Sequence, residues 1–185
     1  LFFIPAPYGR YTRSGWGPRV NDTAGWVIME AVSPLLMVLL FMLGDRRGRA
    51  TAMVFLVLWL WHYVYRAFVF PFLRRGGAPE MPLVVVLFGV LFNLCNGYLN
   101  GRWLFHFGPT LGSGWFADPR FMVGTILFGV GFAVHYHSDQ ILIHLRKPHE
   151  TAYHIPHGGL YRWVSCPNYL GEIVEWSGFA LATWS

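Results

Sequence analysis

Along this chain, hydrophobic positions gather into long blocks separated by short polar breaks. Ala24 to Leu43 is an apolar span of about 20 residues, long enough to cross a bilayer, with one acid inside it, Glu30. Asp45-Arg46-Arg47-Gly48-Arg49 closes it as a tight loop. A second span runs from Thr51 to about Leu73 and carries His62, Tyr63 and Arg66 in its second half, before a break at Arg74 to Pro79. Pro82 to Gly101 makes the third, with Asn93 and Asn96 inside and Gly97 and Gly101 spaced for close helix packing. A Gly- and Trp-containing connection at 102–119 leads to the fourth, from near Phe121 to about Leu145, whose last turns are polar: His135-Tyr136-His137-Ser138-Asp139. After a loop rich in Pro, Gly and His at 146–163, a fifth apolar run begins beyond Pro167.

There is no internal repeat, and strand alternation is absent over any useful length, which disfavours a barrel. The pattern predicts an all-α integral membrane protein, a polytopic helical bundle forming a single membrane domain over 1–185. The apolar run still in progress at Ser185, and the apolar residues Leu1 to Ile4, lead us to expect further helices in the full protein.

Composition agrees. Residues of the AVILMFWYC set make up 55% of the chain and charged residues 12%, against about 25% charged in a soluble domain; mean hydropathy is +0.40. Aromatic residues reach 18%, nine of them Trp, which suits belts at two membrane interfaces. The net charge of +5 comes almost wholly from arginines scattered in short loops, so nucleic-acid binding finds no support. Cys95 lies in an apolar run and Cys166 in a polar segment, a placement that does not predict a structural disulfide.

The loops sort onto two faces. Arg46, Arg47, Arg49, Arg102 and Arg120 lie on one; Arg10, Arg13, Arg19, Arg74, Arg75, Arg146, Lys147 and Arg162 lie on the other. The excess of positive charge places the second face in the cytoplasm, and the Asp139 end of the fourth span opens there.

Ionisable groups inside membrane spans are costly and mark function by default. Glu30 lies about six residues, roughly 9 Å of rise, into its span and needs a donor, a partner charge or a proton. Tyr63 could be that donor, and Arg66 could pair with Glu30 instead. In the sharper reading a Glu–Tyr pair presents an acidic proton to a ligand carbonyl, the phenol having a pKa of about 10. His135, Asp139 and Arg146 recur at helical spacing and could grip ribose hydroxyls and a phosphate, or form an ordinary salt-bridged helix end. Asn168, Glu172 and Glu175 make one acidic stripe. Eight histidines invite a di-iron site, but only His154 and His157 give an H-x-x-H, with Ile155-Pro156 between them, so metal ligation is not expected. His62, His106, His135 and His137 read as satisfied polar residues, and Gly129-x-Gly131 as helix packing.

The residues themselves carry a resemblance. His137-Ser138-Asp139, Leu145-Arg146-Lys147-Pro148, Tyr153-x-Ile155-Pro156-x-Gly158-Gly159-Leu160 and Val164-Ser165-x-x-Asn168-Tyr169-Leu170-Gly171-Glu172-Ile173-x-Glu175-Trp176 resemble the C-terminal domain of the steroid 5α-reductases. So does the stretch from Ala180 to Ser185. His62-Tyr63 with Arg66, Pro5 to Tyr11, and Trp26 with Glu30 look like the family's upstream landmarks.

The resemblance implies a seven-helix membrane fold, five spans of which are visible here. It also implies an NADPH-dependent reduction of the C4–C5 double bond of 3-oxo-Δ4 steroids. By position, Tyr63 would donate to the steroid 3-oxygen with Glu30 in support, and Trp26 and Met29 would join them around the steroid. Asp139, Arg146, Tyr153, Asn168 and Glu172, with His135 and Arg74, would surround NADPH. Residues 1–134 would then form the substrate side and 135–185 part of the cofactor region. The implied setting is the endoplasmic reticulum membrane in a eukaryote or the cytoplasmic membrane in a bacterium; no obligate protein partner is evident. Met29 stands where vertebrate members carry a polar amide, and His135 replaces an Asn. The segment Pro167 to Glu172 also resembles isoprenylcysteine methyltransferases, which use S-adenosylmethionine, although Ser165-Cys166 replaces their Arg-His. Sterol Δ14-reductases share its Asn-Tyr-x-Gly-Glu core. A non-enzymatic bundle would not need the acidic stripe.

Overall fold

The structure is a computed structural model that describes residues 11, 15–75, 78–147, 150, 152 and 154–185. Its helices are α1 (Asp22–Leu43), α2 (Ala50–Val64), α3 (Phe70–Leu73), α4 (Leu83–Arg102), α5 (Pro119–His144) and α6 (Pro167–Thr183). A π turn, Tyr65–Val69, joins α2 to α3 as one continuous span, and another, Trp103–Phe107, extends α4. Four of these helical runs are long and apolar enough to cross a membrane, and α6 is the expected fifth apolar run. The spans fall where the hydrophobic blocks predict them, because some 20 residues of helix are needed to traverse hydrocarbon with every backbone group satisfied.

The bundle is apolar outside and polar within. Leu35, Leu39 and Leu43 of α1, Trp61 and Val64 of α2, and Leu87 and Leu91 of α4 are exposed, while Ser33, His62, Asn93, His135, Asp139 and Glu175 are buried. A bilayer imposes that inversion.

The tightest helix pair is α5 with α6, and glycine makes it. A Cβ on Gly124 or Gly131 of α5 would run into the α6 backbone at Ala182 or Glu175; one on Gly171 or Gly178 of α6 would run into the α5 backbone at His135 or Phe128. Both helices space these glycines seven residues apart, two turns, so the antiparallel backbones touch along one seam. Gly129, expected to pack with Gly131, faces open space instead: two residues along a helix is the wrong spacing for one face. On α4, Gly97 and Gly101 do pack as expected, against Leu36 and Leu40 of α1.

Three features were not expected. A two-stranded antiparallel ribbon, β1 (Arg19–Asn21) on β2 (Glu80–Pro82), pairs Arg19 with Pro82 and holds the starts of α1 and α4 together; strands of three residues carry no readable alternation. Residues 102–107, expected to be connection, stay helical because Arg46 reaches over from the α1–α2 loop. Its guanidinium donates to the carbonyls of Leu104 and His106 at 3.0 and 2.8 Å, and to that of Gly108, satisfying groups that a helix end leaves open.

The π turn at Tyr65–Val69 follows from Pro71. The Phe70 N–H bonds Tyr65 O rather than Arg66 O, and Pro71 has no N–H to offer Arg66 in the wider turn. The Arg66 carbonyl, freed in this way, accepts from Trp26 Nε1 at 3.2 Å.

Gly131→Ala is expected to destabilise the protein by about 1–3 kcal/mol through overpacking, lowering its thermal midpoint in detergent. Gly129→Ala, whose added methyl meets open space, should leave the midpoint unchanged or slightly raised.

Candidate functional site

Chain direction alternates from helix to helix, so the starts of α1, α4 and α6 and the ends of α3 and α5 share one face. Glu30 is eight residues into α1 and Glu175 eight into α6, each about 12 Å of rise from that face. Helix α1 begins at Asp22, two residues before the expected Ala24, so Glu30 lies deeper than the sequence indicates.

At this depth the helices part around a cavity of about 680 Å³ lined by Glu30, Tyr63, Arg66, Asn93, Glu172 and Trp176, among others. That volume falls within the range of roughly 300–1,000 Å³ usual for small-molecule sites. Trp59 and Phe179 also line it, and Trp59, Trp176 and Phe179 pack edge to face at ring-centroid separations of 5.0–5.6 Å. The result is an apolar, aromatic chamber with a few polar groups converging on it.

Glu30 and Tyr63 both face this cavity, yet they do not hydrogen-bond each other. The donor to Glu30 is Asn93 Nδ2 at 3.4 Å, which also donates to the Met29 carbonyl at 2.8 Å. Arg66 does not form the alternative pair either: its ion pair is with Glu172, Nε to Oε1 at 3.7 Å. The Tyr63 hydroxyl accepts from Asn96 Nδ2 at 3.1 Å, and Ser33 lies within hydrogen-bonding reach. With the Asn96 amide donating to its oxygen, the phenol keeps its own proton for a ligand. Asn93, Asn96 and Asn100 line one face of α4 at spacings of three and four. That polar stripe in an apolar span was available in the sequence as a signal.

Other expected residues divide into two groups. Glu172 reaches the cavity and its Oε1 lies 3.5 Å from His135 Nε2. Asp139 is fully buried beside His135, Oδ2 to Nε2 at 3.1 Å, and accepts from the Tyr65 hydroxyl at 3.4 Å. Asn168 stands half-buried in the first turn of α6, on the same face. Arg146 does not share a helical face with Asp139, because α5 ends at His144; it is partly buried just beyond that end. Tyr153 lies outside the described residues.

Trp26 and Met29 are not among the residues lining the cavity. Met29 is buried in the α1–α4 seam against Gly89. Trp26 lies behind the cavity wall between two guanidinium groups, with Arg66 and Arg74 each 4.8 Å from its ring centroid. Arg74 also pairs with Asp22 at 2.7 Å. Arg74 therefore braces the membrane face of α1.

The sequence underrated a buried cluster. His62 Nδ1 lies 3.0 Å from Glu175 Oε1, and His135 Nδ1 lies 3.5 Å from Glu175 Oε2. Contacts between residues 62, 135 and 175 bring three helices together, so no local motif could show them. One ring nitrogen or carboxylate oxygen from each of the three lies within 4.8 Å of the others, and His62 and Glu175 share a hydrogen bond. His154, half of the H-x-x-H, pairs with Glu150 at 2.8 Å. The Lys147 backbone N–H and His154 together hold the Glu150 carboxyl below its usual range.

A sequence profile described as 3-oxo-5-alpha-steroid 4-dehydrogenase matches residues 79–185. The 3-oxo-5-alpha-steroid 4-dehydrogenase 1 of Bos taurus is 43% identical over 190 residues, covering 100% of this chain and 73% of its own length. The human protein of the same name is 42% identical over 182 residues (96% and 69%), and Steroid 5-alpha-reductase DET2 of Arabidopsis thaliana is 36% identical over 190 (100% and 72%). Architecture and cavity together define a class, the multi-pass helical membrane protein with an aromatic-walled cavity inside its span. Within that class the chain belongs to the 3-oxo-5-alpha-steroid 4-dehydrogenase, or steroid 5α-reductase, family.

Trp26→Phe keeps an aromatic face for Arg66 and Arg74 but removes the donor to the Arg66 carbonyl. It is expected to cost about 1–3 kcal/mol, the penalty for an unsatisfied buried acceptor, read as a lower thermal midpoint in detergent.

Proposed function

We propose that this chain, an oxidoreductase of that family, reduces the C4–C5 double bond of 3-oxo-Δ4 steroids with NADPH, the reducing groups approaching from the cytoplasmic face. The observation that carries the reading is the convergence of Glu30, Tyr63 and its Asn96 donor on one aromatic-walled cavity inside the membrane.

The residues present fit a nicotinamide dinucleotide. Buried polar atoms without hydrogen-bond partners cluster toward the face where α5 ends: Asp139 Oδ1, Gln140 Nε2 and Arg74 Nη1. An acidic acceptor beside guanidinium and amide donors is the chemistry that ribose hydroxyls and phosphates need. Asp139, Arg146, Asn168 and Glu172 would hold the group, joined by Tyr153, His135 and Arg74 on the resemblance. When bound, NADPH supplies the hydride that reduces C5. Residues 135–185 then serve mainly the cofactor, and the helices before them mainly the steroid.

Tyr63 donates its hydroxyl proton to the 3-oxygen as negative charge builds there. Asn96, by donating to the phenolic oxygen, stabilises the charge it takes on. Glu30, held by Asn93, supports Tyr63 from the same cavity. Such donors count most in a site closed to water, because they are already oriented when the charge develops. Trp59, Trp176 and Phe179 supply the apolar surface that a steroid skeleton buries.

Membranes containing the protein, given NADPH and a 3-oxo-Δ4 steroid, are expected to yield a product two hydrogens heavier by mass spectrometry. Tyr63→Phe should lower kcat by about 10²–10³, the usual cost of losing one such donor, and Glu30→Gln should lower it less. Undiminished conversion in both variants would remove the acid pair from the mechanism.

A further inference from the structure

The reductase reading turns Asp139 and His135 toward the cofactor and leaves Glu175 and His62, buried beside them, without a role. Together the four form a series of carboxylate and imidazole groups from the cofactor end of α5 to the wall of the cavity. Successive contacts are 3.1 Å (Asp139 Oδ2 to His135 Nε2), 3.5 Å (His135 Nδ1 to Glu175 Oε2) and 3.0 Å (Glu175 Oε1 to His62 Nδ1). His62 lines the cavity beside Tyr63. His135, Asp139 and Glu175 are fully buried, and His62 nearly so.

A second observation points to more than packing. Both ring nitrogens of His135, Asp139 Oδ1 and Glu175 Oε2 are buried without a hydrogen bond of good geometry. Orphaned polar atoms are costly, and four in one cluster demand a functional account. His135 is faced by Asp139 on its own helix, by Glu172 and Glu175 on α6, and by His62 and Tyr65 across the cluster, while Glu172 also meets Arg66.

We propose that Asp139, His135, Glu175 and His62 are a proton relay that resupplies the steroid cavity from the cofactor end. The inference rests on the reductase reading, since reducing an enone with one hydride consumes one proton per turnover. A proton passes from the Asp139 carboxyl to His135 Nε2. It leaves from Nδ1 to Glu175 Oε2, moves on from Oε1 to His62 Nδ1, and leaves the other His62 nitrogen to restore the proton that the neighbouring Tyr63 hydroxyl has given up. Each imidazole takes a proton on one nitrogen and releases one from the other, so one proton enters, one leaves and no electrons move. Alternating carboxylate and imidazole is the composition of buried proton paths in membranes. The four are relay residues; Tyr63 remains the group that touches substrate.

The test uses the full chain in membranes with NADPH and a 3-oxo-Δ4 steroid, comparing wild type, Glu175→Gln and His62→Gln in H2O and D2O. Thermal midpoints identify any variant that fails to fold, and the second variant keeps the test open if the first does so. The relay predicts that kcat falls by about 10²-fold with KM for the steroid unchanged, and that the solvent isotope effect on kcat rises above the wild-type value as proton delivery becomes limiting. Wild-type kcat in both folded variants would overturn it, as would a loss confined to KM or an unchanged solvent isotope effect. A stoichiometric divalent metal in the purified protein would also overturn it, because ligation occupies the imidazole lone pairs. No turnover by the wild type with any 3-oxo-Δ4 steroid would sink the reductase reading itself, and the relay with it.

Discussion

The seam between α5 and α6 is the contact on which the site depends. In a bilayer, lipid tails are as apolar as leucine, so no hydrophobic force draws two spans together, and close packing of backbones has to do so. Gly124, Gly131, Gly171 and Gly178 provide it by offering no Cβ at the points of contact. The consequence for the site is positional. Glu175 faces Gly131 and His135 faces Gly171, so the residues brought nearest by the seam are the two that share the buried cluster. From there α6 presents Glu172 and Trp176 to the cavity and Glu175 to His62 of α2.

A second constraint follows from putting polar groups where no water can satisfy them. Three polar groups of the cavity have a protein partner: Asn93 donates to Glu30, Asn96 donates to Tyr63, and Arg66 forms an ion pair with Glu172. The asparagines are suited to this because an amide is neutral in either environment and offers both a donor and an acceptor. A second charge opposite Glu30 would have brought its own desolvation cost. Dipoles fixed in this way during folding are already oriented for any charge that develops beside them.

The spans were legible because the bilayer reads sequence as this chain presents it, in runs of about 20 apolar residues. Glu30, Tyr63 and Glu172 were legible for the complementary reason, as ionisable groups where hydrocarbon excludes them. Partners were not legible. Tyr63 as donor to Glu30 and Arg66 as its counter-ion were both reasonable from depth alone, but the structure makes Asn93 the donor to Glu30 and pairs Arg66 with Glu172. The π turn at Tyr65–Val69 could be traced to Pro71 only once Trp26 was seen capping Arg66 O. Met29 and Trp26 lie on the expected helix but turn toward α4 and the arginines rather than the cavity, a matter of helix rotation set by Gly89 and the π turn. Arg46 shows the same limit at the opposite face: one side chain holds a turn helical from some 60 positions away.

Charge balance explains how so acidic a cluster can exist inside a membrane. Asp139, Glu172 and Glu175 would be untenable as three carboxylates alone, since an uncompensated buried charge costs several kcal/mol even after relaxation. They are interleaved with Arg66, His62 and His135, all within 3.7 Å of at least one carboxylate oxygen. With both imidazoles protonated, the six groups sum to zero; losing one proton leaves a single negative charge shared among them. An asparagine at position 135 would remove one cation and leave the acids in excess, so the histidine here is bound up with the acids around it. This near-neutral core also leaves little positive charge over for a phosphate. In the proposed reading, recognition of an anionic cofactor falls to the arginines at the rim, Arg74 and Arg146, and the interior handles protons.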